Sequence, residues 1–278
     1  MQTNAKYMQS IRDRISVRTY EDKQIEVELM HKLNAFLNEI NQEVHELMKF
    51  KIISNNELDS KQSIKLGTYG VINGTNTFIA GIIKRDGHEV ELGYQLEKFV
   101  IYATSLGLGT CWLGGTYNRK DFENHLSLED NESLVILIAI GYKKDKQSFI
   151  DSAVRLVAKS NQRKRWEELF FNESIDTPLN KELIGDYSTA LEMVRIAPSA
   201  SNKQPWRIVK RDKYFDIYLC RTQGYGIMGY DIQLNDIGIA KYHFECVAQE
   251  LNLKGKWIIS EAVQISNWEY TISWEIID

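Results

Sequence analysis

An internal repeat restricts the fold of this 278-residue chain more than any other feature. Gly93–Trp112, "GYQLEKFVIYATSLGLGTCW", aligns with Gly238–Trp257, "GIAKYHFECVAQELNLKGKW", at a constant offset of 145 residues. Six of the twenty positions are identical: Gly93/Gly238, Phe99/Phe244, Ala103/Ala248, Leu106/Leu251, Leu108/Leu253 and Trp112/Trp257. In both copies apolar residues recur at three- and four-residue spacing up to a glycine or asparagine, which predicts a long helix. β-rich stretches precede each copy, "NTFIAGIIK" in one and "RIVKRDKYFDIYLC" in the other, and a strand signal follows each, "SLVILIAIGY" and "TISWEII". Both halves therefore read as helices, strands, one long helix and a final strand, an α+β order without strict βαβ alternation.

Further helices are predicted near "MQSIRDRI", from about Ile25 to Lys49, and from Lys181 to Arg195 ahead of Pro198. The junction between halves falls near 150–175, dividing the chain into 1–165 and 166–278. The closing aromatics Trp268, Tyr270 and Trp274 alternate with the strand period and predict sheet packing.

Composition excludes several classes of function. No apolar run reaches membrane-spanning length, and the first residues lack the apolar core of a signal peptide, so a cytoplasmic protein without membrane contact is expected. Cys111, Cys220 and Cys246 are too scattered for a disulfide framework or a cysteine zinc site. The five histidines show no metal-ligand spacing, so no metal is expected. A net charge of -4 and a pI near 5.8 give no footprint for nucleic acid. One basic cluster, Arg155–Trp166, reads either as a solvated face or as an anion site.

Three stretches concentrate chemistry. In "RIAPSASNKQPWRIVK" two of the three prolines of the chain, Pro198 and Pro205, bracket Ser199, Ala200, Ser201 and Asn202. Pro198 stops the preceding helix and Pro205 launches a strand. Between them lie hydroxyls, an amide and backbone N–H groups, in an arc suited to a phosphate or polyol, or in an ordinary tight connection capped by serines. In "RISVRTY" Arg14, Ser16 and Arg18 alternate, so an extended segment would place them on one face, two guanidiniums flanking a hydroxyl. In "LGLGTCWLGGTY" Gly107 and Gly109 match only part of a dinucleotide fingerprint, and the segment follows a helix rather than a strand. Its glycines would let backbone approach a flat ligand, with Trp112 and Leu113 covering a ring and Gly114 and Gly115 offering N–H groups. A glycine-rich helix stop beside a core tryptophan has the same composition.

Together these stretches resemble the FMN-dependent nitroreductase family, in the branch where one chain carries two nitroreductase-like halves. The likeness lies in "R-x-S-x-R-x-aromatic", "APSA-x-N-x-QPW" and "GLGTCW-LGG", in that order, and covers nearly the whole chain. It implies a nitroreductase-like α+β fold, two pseudo-repeats each with a mainly antiparallel sheet packed with helices. In the family, one subunit of a homodimer supplies the arginine–serine motif and the glycine exit, and the other supplies the proline loop. Here the first half has the former two and the second half has the last, which implies one complete FMN site per chain, formed between the halves. A monomer would then suffice, and a homodimer is compatible.

Carried over by the resemblance, Arg14, Ser16 and Arg18 would hold the phosphate, ribityl chain and O2 edge of the flavin. Pro198, Ser199, Ala200 and Asn202 would form the opposite wall. Trp112, Leu113, Gly114 and Gly115 would meet the ring, with Gly114 standing where the family often has an acidic residue. The phosphate-binding "K-x-R" of the family is met by Arg163, but Asn161 stands for its lysine. The implied chemistry is ping-pong hydride transfer from NADH or NADPH through FMN to a small-molecule acceptor such as a nitroaromatic or quinone, with no catalytic residue of the protein's own. The same motifs would serve a non-catalytic FMN-binding or sensing module, a dehalogenase or flavin-destroying enzyme, or a scaffold that no longer binds FMN. Cys111 reads as core, and Tyr69 is a further residue within sequence reach of the site.

Overall fold

The computed structural model describes residues 7–54, 68–84, 87–144, 162–226 and 229–277. The chain forms two compact units. One contains Met1–Arg12, Glu89–Glu97 and Ala158–Asp278; the other contains Asp13–His88 and Lys98–Val157.

The second of these units is built on β1 (Met48–Ser54), β2 (Thr77–Ile83), β3 (Gly109–Leu113) and β4 (Ser133–Gly141), in the order β1-β2-β4-β3 with every pair antiparallel. All seven residues of β2 and eight of nine in β4 are buried, as their unbroken apolar runs require of central strands covered on both faces. Helix α2 (Val27–Val44) buries Leu33, Leu37, Ile40 and Val44, one stripe at helical spacing. On one side of the sheet, Phe78, Ala80, Cys111, Leu113 and Leu137 pack with Phe122 of helix α4 (Arg119–Leu126).

The other unit holds helix α1 (Tyr7–Asp13) up to Arg12, helix α5 (Tyr187–Arg195), helix α6 (Ile232–Glu250) and a six-stranded sheet. Its strands are β5 (Phe170–Asn172), β6 (Ser174–Pro178), β7 (Trp206–Arg211), β8 (Tyr214–Leu219), β9 (Gly255–Ile258) and β10 (Glu269–Ile276), in the order β6-β5-β7-β8-β10-β9. Only β5 and β7 run parallel. The edge strand β6 is exposed throughout and ends at Pro178, which removes a donor from an open edge. Helix α3 (Glu89–Ser105) contributes its residues through Glu97 to this unit and the rest to the other.

The repeat is present at every level. The order β7-β8-β10-β9 reproduces β1-β2-β4-β3, and α3 and α6 occupy the same place before the third strand of each set. Both helices end in the same hydrogen bonds. Leu108 N–H reaches Ala103 O at 3.1 Å and Gly107 N–H reaches Thr104 O at 2.9 Å. Leu253 N–H reaches Ala248 O at 2.8 Å and Asn252 N–H reaches Gln249 O at 3.0 Å. Gly107 and Asn252 supply the left-handed residue, with φ of 81° and 58°.

Three sequence expectations are corrected. The helix read through to Lys49 stops at Val44, and Lys49 lies in β1 opposite Ile82, its ammonium 2.6 and 2.7 Å from the Glu132 carboxylate oxygens. Sheet pairing outweighs the helix propensity of "HELMK". The helix expected over 181–195 begins at Tyr187, after a single 3₁₀ turn, Lys181–Leu183, capped by the Asn180 side chain. The aromatics of β10 do not share a face. Tyr270 and Trp268 each pack on Tyr218, whereas Trp274 packs with Phe244 and Trp257. A register shift between Tyr270 and Ile272 adds a residue and reverses the alternation.

Candidate functional site

The arginine segment follows directly from α1 and runs alongside β3. Ser16 bridges Thr110 in parallel, and Val17 N–H donates to Thr110 O at 2.8 Å. That approach depends on Gly109, because a Cβ there would stand 2.8 Å from Val17 Cγ2. Asn73 N–H donates to Arg18 O at 2.9 Å, and Tyr20 N–H donates to Asn73 O at 2.8 Å. The segment is thus extended but belongs to no single ladder: its bridges pass from Thr110 to Asn73 to Lys143. Burial accordingly falls at Arg14, Val17 and Tyr20, every third residue, rather than alternating as expected.

Arg14 is 8% exposed, while Ser16 and Arg18 are half-buried. A guanidinium this buried favours an anionic neighbourhood. Thr110 was not anticipated; its hydroxyl is buried and has no hydrogen-bond partner among the described residues. Trp112 is half-buried and Leu113 fully buried at the end of β3. Gly114 and Gly115 follow in the open, with nothing within 4 Å of a Cβ built on Gly115. Backbone N–H groups of this turn are accessible to a flat ligand. The donor set of this unit, two guanidiniums, hydroxyls and open glycine backbone, fits phosphate, polyol and heterocycle oxygens. Cys111 is core, and Tyr69 is 73% exposed with φ 49°.

The proline loop lies in the other unit. Helix α5 ends at Arg195 and β7 begins at Trp206, where the prolines predict. Between them the backbone is strained. Ser201, Asn202 and Gln204 have φ of 46°, 55° and 49°, a left-handed conformation that costs a non-glycine residue about 1 kcal/mol. Side chains from several elements hold it there.

Arg163 Nη1 donates to Asn202 Oδ1 at 2.7 Å, while its Nε and Nη2 reach Ile196 O at 3.2 Å. Asn202 Nδ2 donates to Gln162 O at 2.6 Å. Gln204 N–H donates to Ser199 Oγ at 2.9 Å, and Gln204 Oε1 accepts from Lys164 N–H at 2.8 Å. Tyr225 OH donates to Ser201 Oγ at 2.8 Å. Ala200 N–H meets both oxygens of Asp236, at 3.0 and 3.2 Å. Burial pushes the Asp236 carboxyl well above the usual carboxylate range, with the Ala200 N–H pulling the other way and Asp231 adding to the rise. Burial lowers Lys164, helped by Arg207.

The structure therefore brings Arg163 to Asn202, and Ser16 to the strand carrying Trp112 and Leu113. Asn161 and the basic residues before Gln162 lie outside the described residues. Tyr225 and Asp236 escaped sequence reasoning, which also gave Gln162 and Gln204 no part in holding the loop. Asp236 had one signal, a carboxylate inside a helix otherwise rich in apolar residues. Among the described residues no cluster of His, Cys, Asp or Glu is arranged to hold a metal, and no helix is long and apolar enough to cross a membrane.

Residues 6–248 match the family model described as "Putative TM nitroreductase". A crystal structure of a protein with a nitroreductase description from Thermotoga maritima is similar over 99% of this chain and 96% of its own, at 18% identity and a TM-score of 0.60, which shows a shared fold. A nitroreductase with bound FMN from Bacteroides fragilis is similar over 53% of this chain and 92% of its own, at 22% identity and a TM-score of 0.40. No curated protein matches the sequence.

Proposed function

This chain belongs to the TM nitroreductase family, and from that premise we propose that it is an FMN-dependent oxidoreductase of nitroreductase type. The observation that carries the reading is the strained proline loop. Three non-glycine residues in the left-handed region, fixed by side chains from separate elements, mark a loop whose conformation is needed for something other than connecting α5 to β7.

Arg14, Ser16 and Arg18 would hold the phosphate, ribityl chain and pyrimidine edge of FMN through charge and hydrogen bonds. Trp112, Leu113, Gly114 and Gly115 would hold the ring, using the glycine backbone that the structure leaves open. Pro198, Ser199, Ala200 and Asn202 would supply the remaining wall. Arg163, already bonded to Asn202, would act partly by fixing that wall and partly as positive charge for the phosphate. The reading assigns one FMN to each chain.

FMN, when bound, supplies hydride-transfer chemistry between NADH or NADPH and a nitroaromatic, quinone or other electron-poor acceptor. The residues of the chain bind, orient and shield, and none is asked to serve as nucleophile or general base.

The test is an absorbance titration of the purified protein with FMN, followed by anaerobic NADH and NADPH. Stoichiometric binding, with loss of the visible flavin absorbance on adding either nicotinamide, is the expected result. Absence of FMN binding overturns the reading, and bound FMN that neither donor reduces overturns the reductase assignment.

A further inference from the structure

Asp236 is 1% exposed, lies in the second turn of α6, and makes no ion pair among the described residues. A carboxyl group in such a place is costly, and an apolar side chain would be the simpler filling for a helix buried nearly all round. Both of its oxygens are directed at one group, the Ala200 N–H. Ala200 opens the turn that leads into left-handed Ser201 and Asn202, and its carbonyl accepts from Lys203 N–H at 3.1 Å. With a methyl side chain it offers no handle except its backbone.

The far end of the loop is fixed by Arg163, Gln162 and Lys164 through Asn202 and Gln204. Nearer its start, Arg163 also reaches Ile196 O and Tyr225 bonds Ser201, while among the described residues Asp236 alone takes the Ala200 N–H. The support beneath Asp236 is firm: Asp231 caps α6 through Gln233 and Leu234 N–H, and the Gln233 side chain bonds Thr222 and Tyr225.

We propose that Asp236 is the positioning residue of the proline loop, acting through the Ala200 N–H to hold the loop in the conformation its ligand requires. The ligand being FMN rests on the function proposed above; the anchoring does not. Asparagine retains the acceptor oxygen at nearly the same place, so the device needs an acceptor and not a charge.

The experiment compares wild type, Asp236→Asn, Asp236→Leu and Asp236→Ala by amide hydrogen exchange at Ala200 in the FMN-free protein, by FMN titration, and by thermal melting. Asp236→Ala should speed exchange at Ala200 and weaken FMN binding about tenfold, as expected when a buried donor loses its partner. Asp236→Asn should keep both within about threefold of wild type, and Asp236→Leu, which fills the space without an acceptor, should be as defective as Asp236→Ala, which a merely space-filling role would not give. Unchanged Ala200 exchange in Asp236→Ala, or Asp236→Asn as defective as Asp236→Ala, overturns the proposal. Should Asp236→Ala not fold, faster Ala200 exchange in Asp236→Asn overturns it and wild-type exchange supports it. Should the wild type take up no FMN, the proposed function fails, and exchange in the FMN-free protein still decides the anchoring.

Discussion

Gly93 lies so close to the carbonyl of Asn235 that a Cβ on it would stand 2.1 Å from the oxygen. The contact is reciprocal: a Cβ on Gly238 would stand 1.9 Å from the carbonyl oxygen of Val90. Both partners are related by the same 145-residue offset, so α3 and α6 meet through equivalent points of the repeat. Backbone atoms on the opposing helix cannot rotate away as a side chain could. Gly93→Ala and Gly238→Ala are each expected to destabilise the protein by about 1–3 kcal/mol through overpacking, with Gly238 at the upper end. Urea unfolding of the two variants measures this, and stability within a few tenths of wild type would mean that the helices can separate freely.

The identical glycines and both helix exits were legible in the sequence, because each depends on residues near one another in the chain, whereas β3 and β9, which follow the exits and pair with β4 and β10, were not. What lay between them was less legible. The end of α2 was misplaced because "HELMK" is locally helical while Lys49 answers to Glu132, far along the chain. The proline loop was recognisable from Pro198 and Pro205, but its conformation is held by Arg163 and Asp236, each more than thirty residues from its partner. A motif lists the residues that meet a ligand more readily than those that hold the motif in shape. Asp236 and Tyr225 belong to the second kind.

The two helix exits differ in the residue that turns left-handed. Gly107 has φ 81° and nothing within 4 Å of a Cβ, so Gly107→Ala tests backbone strain without packing. It should cost about 1 kcal/mol. At the equivalent position Asn252→Ala should cost a similar ~1 kcal/mol, whereas Asn252→Gly should leave stability unchanged or raise it. Denaturant midpoints at constant slope are the measurement. Two alanine variants as stable as wild type would show that the exits relax to another turn.

On the proposed function, Arg14 and Arg18 hold the phosphate and pyrimidine edge of FMN. Replacing either with alanine is expected to weaken FMN binding by roughly 1.5–3 kcal/mol, the range of a hydrogen bond to a charged group. Fluorescence titration gives the two affinities. If both variants bind FMN as wild type does, the phosphate and pyrimidine edge are held elsewhere, although the arginine segment could still pack against β3.

Arg163 and Asn202 form one contact, 2.7 Å long, and should act as one unit. Arg163→Ala and Asn202→Ala are each expected to weaken FMN binding, and the double variant to lose less than the sum of the two. A coupling of about 0.5–3 kcal/mol is usual for residues that share a bond. A strictly additive double variant would mean that Arg163 serves the ligand independently of the loop.

The buried carboxyl of Asp236 also makes stability depend on pH. Burial raises its folded pKa well above the ordinary 3.8, against the pull of the Ala200 N–H, and Asp231 and Tyr225 are its titratable neighbours. The folded state thus favours the protonated form and binds more protons than the unfolded state over the interval between the two values. Stability from this group is complete below the unfolded value and declines as pH rises toward the folded one. Asp236→Asn has no such proton to lose. Its stability relative to wild type should be level at about pH 3.5 and grow steadily from about pH 4 upward, levelling only where wild-type Asp236 has fully ionised in the fold. Urea unfolding of both proteins across that range gives the difference at each pH. A difference that stays flat would place the titration of Asp236 at its unperturbed value, and with it would fall the picture of a neutral acceptor beneath Ala200.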